Sequence, residues 1–176
     1  MNSLGSRLRA IGITVGFFAA SAFVLLGTIW ALAALPFTIP GLAELASYRP
    51  HDSIGAVSDF RIIAVLSAAY LAAMALVVLI DMPYCDKMLA IFADVLLMAV
   101  AAIWGFIFGY WLLLRLAGYE NFLDLNYILA SLIAPFVVFV ASLVPLPRLR
   151  HPFILRLLVA LVLLAGAPFL LLHLGS

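Results

Sequence analysis

Long apolar segments separated by short polar connections are the dominant pattern of this chain. Apolar runs occupy residues 10–35, 62–80, 88–114, 127–146 and 153–173. A helix needs roughly 20 consecutive apolar residues to cross the hydrocarbon core of a bilayer, and each run is long enough. The pattern therefore predicts an all-α, polytopic integral membrane protein, a bundle of about five transmembrane helices with short loops.

The connections between these runs are too short to fold alone. The longest, residues 36–60, is expected to form an outer loop over one end of the bundle. Its polar residues Arg49, His51 and Asp52 are typical of a solvated loop, because no second histidine or carboxylate follows at the spacing of metal ligands. We therefore predict a single transmembrane domain over residues 1–176, without a metal site.

Composition supports this class and excludes others. The chain is 68% hydrophobic and only 10% charged, with a mean hydropathy of +1.31, which is far from the composition of soluble domains. A net charge of +1 provides no basic surface for nucleic acid. The single cysteine, Cys85, excludes an internal disulfide and a CxxC pair.

Lysine and arginine predict the orientation, because loops that carry them are retained on the cytoplasmic side. We expect the N-terminus in the cytoplasm and the C-terminus outside, in a bacterial inner membrane. This orientation places most of the basic residues inside, namely Arg7, Arg9, Lys87, Arg148, Arg150 and Arg156. It leaves three outside, Arg49, Arg61 and Arg115.

Asp94 is a carboxylate within the third apolar run, where an unpaired charge is costly. Advancing about 100° per residue places Ala101 and Gly105 within about 40° of Asp94 on a helix. The opposite face is uniformly bulky, with Phe92, Leu96, Ile103, Phe106, Ile107, Tyr110 and Leu114. We therefore expect Asp94 to point into the protein and the bulky face to contact lipid.

Arg156 is the partner that the sequence favours for Asp94. It lies one turn inside the fifth run, and both residues are expected near the cytoplasmic surface. We predict a structural ion pair or hydrogen bond that fixes the helix register. The alternative is that Asp94 binds a cation or a proton on a transport path.

Small residues predict close contacts between helices. Gly105 and Gly109 form a GxxxG pair in the third run, and Gly12, Gly16 and Ala20 lie near one face of the first. Small residues at this spacing let two helices approach closely within a membrane. We expect these five residues to contact helices of this chain, of other subunits or of a second copy.

An aromatic stripe in the third run has two interpretations. Trp104, Phe108 and Trp111 recur at helical spacing, which suits contact with a bound lipid or a quinone. It equally suits an aromatic belt at the membrane surface. No other cofactor is predicted.

Catalysis and transport both need several polar groups that converge at one depth in the membrane. Here nearly all charged residues lie at the ends of the apolar runs. We therefore expect a non-catalytic membrane subunit or assembly factor, whose partners are membrane lipid and either other membrane subunits or copies of itself. The alternatives are a small-solute or ion transporter or channel that uses Asp94 and, as a minor one, a lipid-active membrane enzyme.

Overall fold

A computed structural model of the protein describes residues 4–36, 41, 60–80, 83–118, 125–144 and 152–174. These residues form five helices and no strand, so the all-α prediction is confirmed for this part of the chain. The helices are α1 (Leu4–Ala33), α2 (Phe60–Leu79), α3 (Pro83–Leu116), α4 (Leu125–Ser142) and α5 (Phe153–Leu174). Most of the predicted outer loop, residues 36–60, lies outside the described residues.

Each helix coincides with one apolar run, and four of the five begin earlier than predicted, α1 and α3 by the most. α1 begins at Leu4 and α3 at Pro83, because a helix can start in a polar turn, and proline is well suited to the first helical position. α3 ends where Gly118 adopts a positive φ of 82°. There its N–H donates to the Arg115 carbonyl oxygen at 3.2 Å, as is common at helix C-termini.

Three helical segments are long and apolar enough to cross a membrane, Leu4–Leu32, Ile62–Leu79 and Tyr84–Leu116. The apolar segments found in α4 and α5 are shorter, Ser131–Ser142 and Phe153–Phe169. The described residues therefore supply three candidate spans by length and composition. The count of five spans remains a prediction.

The chain divides into two compact units, and α3 contributes to both. Unit 1 comprises residues 1–59 and 98–124, and its described helices are α1 and the second part of α3. Unit 2 comprises residues 60–97 and 125–176, and it contains α2, the first part of α3, α4 and α5.

In unit 2, α2 packs against both α4 and α5. Its inner surface combines the small residues Ala64, Ser67 and Ala75 with the larger Tyr70 and Met74, all of them buried. Small side chains also line the buried surfaces of the neighbouring helices, at Ala134 and Ala141 of α4 and Ala160 and Ala167 of α5. Small residues on facing helices permit the close packing that holds apolar helices together where lipid offers an equally apolar environment.

The bulky face of α3 is not uniformly exposed, so the prediction that it contacts lipid is wrong in part. Leu96, Ile107 and Tyr110 are buried, whereas Phe92 is 39% exposed. Ile107 and Tyr110 form a small core in unit 1, against which Leu26, Ile103 and Leu114 pack. Large apolar side chains suit a protein interior as well as lipid, so side-chain size could not distinguish the two.

Candidate functional site

In unit 1, two glycines of α3 lie directly against the backbone of α1. A methyl group on Gly105 would lie 2.9 Å from Phe18 Cβ and would collide with the Val15 carbonyl oxygen. A methyl group on Gly109 would lie 2.8 Å from the carbonyl carbon of Ala19. Only glycine therefore fits at either position without displacement of backbone.

The contacts between α1 and α3 show that the two helices run parallel. The Thr14 hydroxyl oxygen lies 3.5 Å from Met98 Sδ, near the start of the contact. Farther along, a Cβ on Gly27 would lie 3.8 Å from Leu113 Cδ1. Since residue numbers rise together on both helices, the chain travels in the same direction through α1 and α3.

The predicted seam on α1 lies on a different face from the one that contacts α3. Gly12, Gly16 and Ala20 are exposed, and among the described residues no atom of another helix lies within 4 Å of a Cβ built on either glycine. The contact uses Val15, Phe18 and Ala19 instead, as described above, with Ala22 buried one turn later. The signal for this face in the sequence is Ala19 and Ala22, small residues three apart on one side of the helix.

An open groove connects the outward face of α1 with Gly109 of α3. Its volume is ≈ 230 Å³, and it is lined by Ala19, Ala20, Phe23, Val24, Gly109 and Leu112. Of the predicted contact residues, it brings together Ala20 and Gly109 but neither Gly12 nor Gly16. Its lining is apolar, which suits an apolar side chain or an acyl chain better than a polar solute.

The aromatic stripe of α3 is partly exposed. The rings of Phe108 and Trp111 stack with centroids 5.6 Å apart and an interplanar angle of 28°. Phe108 is exposed, while Trp104 and Trp111 are half-buried. This arrangement is compatible with both interpretations, a ligand contact and an aromatic belt.

Asp94 and Arg156 both belong to unit 2 and are both half-buried. Asp94 has an interaction partner in the folded chain, as a carboxylate within an apolar helix requires. The Nε atom of Arg156 is buried and has no hydrogen-bond partner among the described residues. Their pairing therefore remains a prediction.

Unit 2 also contains an apolar cleft that the sequence reasoning missed. Its volume is ≈ 480 Å³, and it is lined by Ala69, Ala73, Val77, Tyr84, Cys85, Met88, Leu89 and Phe92. Phe92 stacks on Tyr70, with ring centroids 6.2 Å apart. Ala69, Ala73 and Val77 recur every fourth residue of α2, a spacing that marks one helix face.

Among the described residues, no group of three or more His, Cys, Asp or Glu side chains is arranged to hold a metal ion. Comparison with known proteins adds no assignment, since no family model, curated protein or solved structure matches this chain.

Proposed function

We propose that this protein is an integral-membrane subunit or assembly factor, which acts through helix contacts within the membrane rather than through catalysis. The observation that carries the proposal is the arrangement of α1. This apolar helix of 30 residues contacts α3 through one face and leaves a second face of small residues open. We further propose the bacterial inner membrane as its location, with the N-terminus cytoplasmic and the C-terminus outside.

The hydroxyl groups of α1 support a lipid environment. Thr14, Ser21 and Thr28 each donate a hydrogen bond to the carbonyl oxygen four residues earlier, at 2.9, 2.8 and 2.7 Å. Ser21 and Thr28 are exposed yet need no water to satisfy these donors. Internal satisfaction of polar groups is what the hydrocarbon core of a bilayer demands.

Exposed apolar side chains on the same helix support the proposal further. Ile13 is 62% exposed, Phe17 66% and Val24 65%. A soluble protein rarely leaves so many large apolar residues together on its surface. Lipid and partner helices are the surroundings that suit them.

The open face of α1 is the proposed contact surface, defined by Gly12, Gly16 and Ala20. Each lies about 40° from the previous one around the helix axis, so they form one continuous seam. A second helix can approach such a seam closely and gain van der Waals contact along its length. The proposed occupant is a helix of another membrane subunit or of a second copy of this chain.

The proposal is tested by purifying the chain from its native membrane in mild detergent together with the proteins bound to it. The double variant Gly12→Leu/Gly16→Leu is expected to lose these partners on a native gel without losing its fold, because both glycines are exposed and no other helix in the described part of the chain lies against them. Ala90→Leu, on an exposed position of α3, is the matched control and should retain them. Asp52→Ala and Glu120→Ala should also retain them.

Intact assembly of the double glycine variant would contradict the proposal. Solute flux through liposomes that contain the chain alone, abolished by Asp94→Asn, would favour the transporter alternative instead. Turnover of a lipid by the purified chain would favour the enzyme alternative.

A further inference from the structure

We draw no further inference here: the strongest candidate, the open apolar cleft between α2 and the first turns of α3 that Cys85 lines, carries none, because nothing in the part of the chain that the structure describes shows what covers it.

Discussion

Gly105 and Gly109 are the residues at which one added methyl group is expected to matter most. Gly105→Ala and Gly109→Ala should each destabilise the protein by about 1–3 kcal/mol, because the new Cβ collides with the α1 backbone. The free energy of unfolding is measured in detergent, with circular dichroism as the signal. Gly12→Ala and Gly16→Ala are matched controls on open positions and should be neutral or gain up to about 1 kcal/mol of helix propensity. An equal loss of stability for all four variants would contradict the α1–α3 contact.

Asp94 is the second residue whose replacement is informative. Asp94→Asn should be mild, because an amide can retain hydrogen bonds to the same partner. Asp94→Leu should cost on the order of 1–3 kcal/mol, because it leaves the partner of Asp94 unsatisfied. Combining Asp94→Leu with Arg156→Leu in a double-mutant cycle tests the predicted pair, which is supported if the double variant recovers stability. Strictly additive losses would exclude Arg156 as the partner.

At the scale of elements, the parallel arrangement of α1 and α3 follows from contacts between residues far apart in the sequence. In a chain that crosses a membrane at every helix, the first and third helices must run in the same direction. The contacts at Met98, Gly105 and Gly109 meet this requirement, since they pair with successively later residues of α1.

Cysteine cross-linking in a Cys85→Ser background tests this arrangement. Thr14→Cys with Met98→Cys, and Gly27→Cys with Leu113→Cys, should each form an internal cross-link with a short thiol-specific reagent. Thr14 contacts Met98, and a Cβ at position 27 would lie 3.8 Å from Leu113 Cδ1. The mixed pair Thr14→Cys with Leu113→Cys should not. Cross-linking of the mixed pair alone would indicate antiparallel helices. The internal cross-link is detected as a mobility shift of the monomer on a denaturing gel.

At the scale of the whole molecule, the proposed orientation is tested by labelling with a membrane-impermeant thiol reagent. Cys85 lies in the first turn of α3 and is half-buried. Because the proposed orientation places this turn in the cytoplasm, Cys85 should react only after the cytoplasmic face has been opened. Ser53→Cys in a Cys85→Ser background should react from outside in intact cells. The reverse pattern of labelling would invert the topology, and labelling of both cysteines from one side would exclude a membrane crossing between them.

The amino-acid sequence alone was enough to locate the helices. Each apolar run is long enough to require internal hydrogen bonding in an apolar environment, and a helix satisfies its backbone groups within one segment. The runs therefore marked α1 to α5 to within a few residues, apart from ends such as Leu4 and Pro83. The GxxxG pair of Gly105 and Gly109 could also be identified as a helix contact from the sequence, because small residues at that spacing are typical of helix interfaces.

Only the tertiary structure decided which faces meet. α1 contacts α3 through Val15 and Ala19 rather than through Gly12 and Gly16, and Ile107 and Tyr110 are buried although their face was expected to contact lipid. The physical reason is that lipid and a helix interface are equally apolar, so the hydrophobic pattern that identifies each helix carries little information about its neighbours. Which faces pack together depends on shape complementarity between particular side chains and backbone atoms. That complementarity is defined only in the packed structure.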